Sequence, residues 1–273
     1  MERFAKHLQF GGRRVRLADW DPASTPGWKN KASAAERVAH NLERIDAQQY
    51  RLFAEAKRSL LIVLQGMDTS GKDGLVRHVM TAFNPQGCKA WSFKVPTVEE
   101  ASHDFLWRIH RAAPARGEVA IFNRSHYEDV LVVRVHELVP ESQWSRRYEM
   151  INAFEKHLHH HGTRVLKFFL HISREEQRRR LLARLEDPHK HWKFGVGDLT
   201  ERKLWKSYQG AYADALGHCN TGHSPWHIVP ADHKWYRDLA VSETVAETLE
   251  DMHLAPPEVK LDVKRLRAAL KPG

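Results

Sequence analysis

The sequence predicts an α/β fold, a five-stranded parallel sheet with helices on both faces. Three observations carry that prediction. Short apolar runs alternate with longer segments of helical spacing between about residues 60 and 252, the pattern of repeated strand–helix units. The first run, Leu60-Leu61-Ile62-Val63-Leu64, contains no polar position, as a strand buried on both faces requires. A glycine-rich turn then follows that run directly and opens onto a helical stretch, where backbone N–H groups can gather around an anion.

Residues 1–31 mix Gly, Pro, Arg and Trp without a period and read as an extended arm. From about Ala32 to Lys57, Val38, Leu42, Ile45, Leu52 and Phe53 give helical spacing, so a helix is expected to pack on the main domain. After the first strand and its turn, a helix is expected from about Lys72 to Phe83; Phe83-Asn84-Pro85 closes it, offering core packing or a face for adenine. Ala90 to Val95 reads as the second strand. Thr97-Val98-Glu99-Glu100 is a capping box that opens a helix through about His110. Val119-Ala120-Ile121-Phe122 is the third strand, Glu141 to His160 a long helix, and Arg164 to Ile172 the fourth strand. His159-His160-His161 suits the end of that helix, where cations meet the negative end of its dipole. Ser173-Arg174-Glu175-Glu176 caps a further helix whose Leu181, Leu182 and Leu185 are expected to face the core. Trp226 to Pro230 is the fifth strand, and Tyr236 to Met252 the last helix. The expected organisation is an arm and packing helix over 1–59, one domain over 60–255, and a basic tail over 256–273.

Composition excludes several classes. The 273 residues are 42% hydrophobic and 28% charged, ordinary for a soluble globular chain. The longest strongly apolar run, Leu60 to Leu64, is far shorter than the ~20 residues of a membrane span. Met1-Glu2-Arg3-Phe4-Ala5-Lys6-His7 offers no apolar signal core. Cys88 and Cys219 are too few for a disulfide framework or a zinc cluster, and a reducing cytoplasm is the expected compartment. Lys plus Arg number 43 against 34 Asp plus Glu, a net +9, which favours anionic partners. Residues 174–206 hold ten Lys/Arg and six Asp/Glu, so +4 of the surplus lies in that segment.

The sharpest motif is Gly66-Met67-Asp68-Thr69-Ser70-Gly71-Lys72, which fits G-x-x-x-x-G-K between a strand and a helix. Small residues let N–H groups converge on phosphate oxygens, and Lys72, expected to face solvent, adds a full charge on a flexible stem. Two features depart from the usual loop. Asp73 stands where a Ser or Thr hydroxyl normally ligates magnesium, and Asp68 lies inside the loop. A carboxylate beside phosphates is repulsive unless a divalent cation lies between them. Magnesium, or manganese in its place, is therefore expected at Asp68; the plainer alternative is that Asp68 only caps the turn.

The third strand runs into Asn123-Arg124-Ser125-His126-Tyr127-Glu128-Asp129. A strand-end acid here normally helps to hold the metal, but Asn123 is neutral. Glu128 or Asp129 can restore the charge, unless they are only solvated acids at a helix start. Arg124 can grip a phosphate with its planar fork. Downstream, Arg174, Arg178, Arg179, Arg180 and Arg184 fall on one predicted helix, with Arg180 and Arg184 sharing a face. Asp187-Pro188-His189-Lys190-His191-Trp192-Lys193-Phe194-Gly195 follows. This stretch, about 174–206, reads as a basic helical lid that excludes water from phosphoryl transfer, or more plainly as an exposed helix with solvated arginines.

Together these motifs resemble the polyphosphate kinase 2 family. The residues that carry the resemblance are 66–74, Ser-Phe-Lys-Val-Pro (92–96), His-Asp-Phe-Leu-Trp-Arg-Ile-His (103–110), Phe-Asn-Arg-Ser-His-Tyr-Glu-Asp-Val-Leu (122–131), Lys-His-Trp-Lys-Phe (190–194) and Val-Pro-Ala-Asp-His-Lys-Trp-Tyr-Arg (229–237). The resemblance implies a phosphate-loop kinase-like fold similar to thymidylate kinases. It also implies reversible, magnesium-dependent transfer of the terminal phosphoryl group between inorganic polyphosphate and purine nucleotides. By the same resemblance Asp68 and Lys72 are the loop's functional acid and base and Arg124 is the strand-end arginine; with Glu128 these are the expected catalytic residues, and by the charge argument above Asp68 and Glu128 are the expected metal ligands. Gly66, Thr69, Ser70, Gly71, Asp73, Gly74, Lys94, Arg108 and Asn123 are expected to bind phosphate or nucleotide. Arg180, Arg184, Lys190 and Lys193 are expected to hold the polyphosphate chain. Asn123 departs from the Asp of many members; with Glu128 it resembles the subgroup that phosphorylates both nucleoside mono- and diphosphates, here AMP and ADP. A homo-oligomer without nucleic-acid or membrane partners is expected. Two rivals remain: an ATP-dependent nucleoside monophosphate kinase of the thymidylate-kinase type, and a basic nucleic-acid-binding module without activity.

Overall fold

Every residue of β1 (Ser59–Gln65) is buried, because β1 is the central strand of the sheet. In the computed structural model, which describes residues 4–270, five parallel strands run in the order β2-β3-β1-β4-β5. The others are β2 (Cys88–Ser92), β3 (Val119–Asn123), β4 (Thr163–His171) and β5 (Trp226–Pro230). Residues 1–3 of the expected arm and 271–273 of the expected tail lie outside the described residues.

Alternate residues of β1 divide the core in two. Leu60, Ile62 and Leu64 pack beneath the helices Lys31–Glu55, Lys72–His78 and Lys234–Asp251. Leu61 and Val63 pack beneath Trp107–Ala112, Glu141–His160 and Trp205–His218. The Lys31–Glu55 helix starts at Asn30, whose side chain accepts from the Ser33 amide at 3.0 Å, and is pinned to Lys234–Asp251 by Arg37–Glu243 and Arg44–Glu250 pairs at 2.6 Å. The arm lies along β5: the Ile228 amide donates to Leu8 O at 2.8 Å.

The chain crosses from β3, on one side of β1, to β4 on the other. A crevice therefore opens beyond the carboxyl ends of these strands, the usual ligand position in such sheets. Leu64 pairs with Asn123 across β1 and β3, so the loops after residues 65 and 123 emerge side by side.

Several expectations need correction. The second strand is Cys88–Ser92, not 90–95. It is a mostly exposed edge strand, so burial left no clean pattern to fix its register. The capping box at Thr97 forms, but its helix stops at Ser102 and a new one spans Trp107–Ala112; Asp104 breaks the run by accepting from the Leu106 amide at 2.9 Å. The helix after the loop ends at His78, followed by a 3-10 turn at Met80–Ala82, and Phe83 belongs to the core rather than to an adenine face. Of the three leucines in Arg174–Leu185 expected to face the core, Leu181 is buried, while Leu182 and Leu185 are 41% and 46% exposed. That helix buries a largely polar stripe instead, Glu176, Gln177, Arg180 and Leu181. The tail contains an unforeseen short helix, Val263–Ala269. No helix among the described residues is long and apolar enough to cross a membrane.

Candidate active site

The loop after β1 owes its shape to two glycines. A Cβ at Gly66 (φ +153°) would meet Leu170 O at 2.7 Å, and one at Gly71 (φ +103°) would overlap Arg237 Nη1. Thr69 and Arg124 take φ +65° and +63° although they are not glycine, strain of the kind held at functional sites. Thr69 Oγ1 and Ser70 Oγ are buried without a hydrogen-bond partner.

Lys72 is not solvent-facing as expected. It is 8% exposed, and its Nζ donates to Gly66 O at 2.6 Å and Met67 O at 3.3 Å. The loop curls around the ammonium, whose protons satisfy its carbonyls. Burial first, and then the Arg124 charge, push Lys72 down from 10.5 to about 8, against the opposing pull of Asp68 and Glu128.

Arg124 lies between two acids, 3.0 Å from Asp68 Oδ1 and 3.9 Å from Glu128 Oε2. Burial raises the Glu128 carboxyl above its ordinary value, although Arg124 and Lys72 oppose this. Asn123 Nδ2 donates to Asp73 Oδ1 at 2.7 Å, tying the strand end to the helix after the loop. Asp129 faces elsewhere: it pairs with Arg147 at 3.1 Å, and burial pushes it up to about 6. Of the two acids considered at this turn, Glu128 is the one that reaches the site.

Two cavities meet at Asp68 and Arg124. The smaller, about 250 Å³, is lined by Gly66, Glu128, His136, Gln177, Glu201, Tyr208 and Tyr212 among others. The larger, about 770 Å³, is lined by Thr69, Gly71, Lys72, Asp73, Gly74, Asn123 and a group of cations: Lys94, Arg180, Arg184, Lys190, Lys193, Lys234 and Arg237.

The lid cations are not equivalent. Arg180 borders the larger cavity, but its guanidinium donates to Thr69 O, Ser70 O, Ala231 O and Asp232 O at 2.6–3.0 Å and pairs with Glu176 at 2.7 Å. It fastens the loop to the turn between β5 and the Lys234–Asp251 helix. Arg184 reaches Lys193 O at 3.1 Å and is 3.7 Å from Asp198, leaving it freer to meet an anion. Arg108 lies in neither cavity; its Nη1 donates to Lys94 O at 2.8 Å, a structural role where phosphate contact was expected.

The sequence reading missed Arg237 and Lys234, although both lie in the 229–237 motif, and it missed Gln177, Tyr208, Tyr212, His136 and Glu201. Gln177 Nε2 donates to Asp68 O at 3.2 Å. Glu201 accepts from Tyr208 Oη at 2.6 Å and lies 3.0 Å from His136 Nε2. No local motif marks these residues; the fold brings them in from distant segments.

The donor set suits magnesium. Asp68 and Glu128 are carboxylates converging on one cationic centre, and half-buried Glu128 has its arginine partner only at 3.9 Å. Among the described residues no group of three or more His, Cys, Asp or Glu could hold a metal. A magnesium ion held by Asp68 and Glu128 would take its other ligands from phosphate oxygens and water, its usual habit beside nucleotides.

A phosphate loop at the carboxyl edge of this sheet, facing a cation-lined channel, defines a phosphate-loop kinase-like protein. The family model described as Polyphosphate kinase 2 matches residues 27–257, and the chain belongs to that family. It is 47% identical over 246 residues to the AMP/ADP-polyphosphate phosphotransferase of Meiothermus ruber, covering 90% of this chain and 92% of the relative. It is 44% identical to the ADP-polyphosphate phosphotransferase of Rhodopseudomonas palustris, covering 90% of each. The crystal structure of polyphosphate kinase 2 from Arthrobacter aurescens superposes with a TM-score of 0.95 at 44% identity, covering 98% of this chain and 96% of that one.

Proposed function

We propose that this phosphotransferase moves the terminal phosphoryl group of inorganic polyphosphate to AMP and ADP, reversibly and with magnesium. The observation that carries the reading is the pair of unequal cavities meeting at Asp68 and Arg124. The larger, cation-lined one suits a linear polyanion, held by charge neutralisation and counterion release as nucleic acids are. The smaller, with aromatic and polar walls, suits the acceptor nucleoside. Transfer between them needs in-line positioning and charge neutralisation more than covalent chemistry. Lys72 and Arg124 neutralise the phosphoryl being moved, Arg184, Lys190, Lys193 and Arg237 hold the chain, and Asp68 and Glu128 hold the metal. Magnesium, when bound, neutralises phosphate charge and orients its oxygens. Asn123 and Glu128 support the subgroup that accepts both mono- and diphosphates. The working form is a cytoplasmic homo-oligomer.

The test is incubation with magnesium, polyphosphate and AMP, without ATP, followed by separation of the nucleotides. ADP and then ATP should accumulate. ADP formed only when ATP is supplied would restore the monophosphate kinase rival. Salt-dependent duplex binding without any transfer would restore the nucleic-acid module. Asp68→Asn should raise the magnesium concentration needed for half-maximal rate; an unchanged requirement would return Asp68 to a turn cap.

A further inference from the structure

Lys167 is an anomaly that the site does not use. It lies in the middle of β4 with 0% exposure, and its side chain points into the core face beneath Glu141–His160. Glu155, on that helix, is also 0% exposed. Two full charges buried in a core gain little over apolar residues of the same shape.

The hydrogen bonds around the pair are complete. Lys167 Nζ donates to Glu155 Oε2 at 2.7 Å, Tyr127 Oη at 2.9 Å and Cys219 O at 2.7 Å, so all three ammonium protons are used. Tyr127 Oη donates to Glu155 Oε1 at 2.8 Å, and Ser224 Oγ to Oε2 at 2.5 Å. His126 Nε2 lies 3.3 Å from Oε1. The Lys167 ammonium also sits 5.4 Å from the Tyr127 ring centroid and 5.0 Å from that of Trp226.

Two of these partners, His126 and Tyr127, are consecutive residues of the 3-10 turn His126–Asp129, and both are fully buried. The next residue is Glu128, which lines the small cavity with Arg124. The turn is held at its ends by the Glu128 amide to Ser125 O at 3.0 Å, the Tyr127 amide and Gln65 Nε2 to Ser125 Oγ at 3.2 and 3.1 Å, and Arg147 Nη1 to Asp129 O at 3.0 Å, while in its middle the His126 and Tyr127 side chains end on Glu155. Arg124 is in a left-handed backbone conformation, which persists only where surroundings over-determine it.

We propose that Glu155 and Lys167 are positioning residues for phosphoryl transfer: through Tyr127 and His126 they fix the 124–129 turn, and so the places of Arg124 and Glu128. The role rests on the proposed function. The pair does not touch substrate; its charges hold the His126 and Tyr127 side chains in one orientation, between the Ser125 and Asp129 contacts at the ends of the turn.

The test uses the full chain with two variants. Tyr127→Phe removes only the hydroxyl link. Glu155→Gln with Lys167→Met removes both charges at similar volume, avoiding an unpaired buried charge. Hydrogen exchange and steady-state kinetics with polyphosphate and ADP are measured for each. Exchange should rise in the peptide covering 123–131 and not across the sheet. The turnover number should fall about 10- to 100-fold in the double variant and severalfold in Tyr127→Phe, since small misplacements of charged groups have effects of that size. The Michaelis constant for polyphosphate should stay within about threefold, because Lys94, Arg184, Lys190, Lys193, Lys234 and Arg237 of the larger cavity lie outside the turn. Turnover within about twofold of wild type in both variants would overturn the proposal, as would exchange rising uniformly through the chain, the sign of a purely stabilising pair. Should the double variant fail to fold, Tyr127→Phe decides by the same readouts. Should the wild type show no transfer at all, the functional reading fails, and localised or uniform exchange alone decides whether the pair anchors the turn.

Discussion

Raising the pH through about 8 should weaken polyphosphate use while removing a strain on the fold, because both effects arise at Lys72. Burial, and then the Arg124 charge, bring Lys72 from 10.5 to about 8. That difference is worth roughly 3 kcal/mol between the charged and neutral forms. Between the two values the unfolded chain binds the proton that the folded one has lost, so this group makes stability rise with pH across that window. Below about 8 the folded protein carries the penalty of the buried charge. Activity should run the other way, since in the proposed function it is the ammonium that neutralises phosphate. The ratio kcat/KM for polyphosphate reports the free enzyme. It should descend with a midpoint near pH 8 and stand about tenfold below its plateau one pH unit higher. At saturating polyphosphate, kcat should break later, because bound phosphate holds the proton on Lys72. Lys72→Arg should lose this limb, since guanidinium does not titrate in this range. In Lys72→Met the matching rise in unfolding free energy should be missing, a difference of up to ~3 kcal/mol across the window. A profile flat to about pH 9.5, or a limb that survives in Lys72→Arg, would refute the reasoning.

Arg180→Ala should destabilise the fold by about 3 kcal/mol, because it strips partners from four carbonyls and from buried Glu176. Arg184→Ala should leave unfolding within about 0.5 kcal/mol but raise the Michaelis constant for polyphosphate; chemical denaturation and kinetics separate the two. Gly71→Ala should cost about 1–2 kcal/mol for its backbone conformation and, by displacing Arg237, lower kcat/KM for polyphosphate. Arg237→Met in the same chain should then add little further loss. Asn123→Asp replaces the donor that Asp73 accepts from at 2.7 Å with a second carboxylate, so its melting temperature should depend more steeply on magnesium than that of wild type. The AMP to ADP phosphorylation ratio should change with it, whereas Glu128→Gln should impair both reactions.

What the sequence made legible was local. β1 and its loop were readable because an unbroken apolar run, a glycine turn and a lysine follow one another without a gap. The Glu141–His160 helix was readable because its apolar spacing is long and regular. β2 was misplaced because an edge strand that is mostly exposed leaves no burial pattern. Leu182 and Leu185 were assigned inward on the rule that leucines seek the core, yet the buried stripe of their helix is set by Gln177 and Arg180, whose partners are loop atoms about 110 residues earlier. Arg237 shows the same limit more sharply. The glycine at position 71 was expected because a small residue lets N–H groups converge on phosphate, but it also makes room for a guanidinium 166 residues downstream, and no spacing rule links the two positions.

The basic surplus shows why charge alone does not define a binding surface. In the lid helix Arg178 pairs with Glu175 and Arg179 with Glu176, while Arg180 is fixed by Glu176 and backbone carbonyls. Those arginines count towards the surplus, yet they are already engaged within the protein. The cations that line the larger cavity come from different segments, Lys94 beyond β2, Arg184, Lys190 and Lys193 on the lid, and Lys234 and Arg237 in the Lys234–Asp251 helix, and of these Lys190 is paired with Asp187 and Arg237 with Asp238. Because counterion release scales with the charges that meet the polyanion, the salt dependence of polyphosphate binding should follow this convergent set rather than the +9 of the chain. The loop after β1 lies where the two cavities meet, and residues from distant segments line the rest of the larger one.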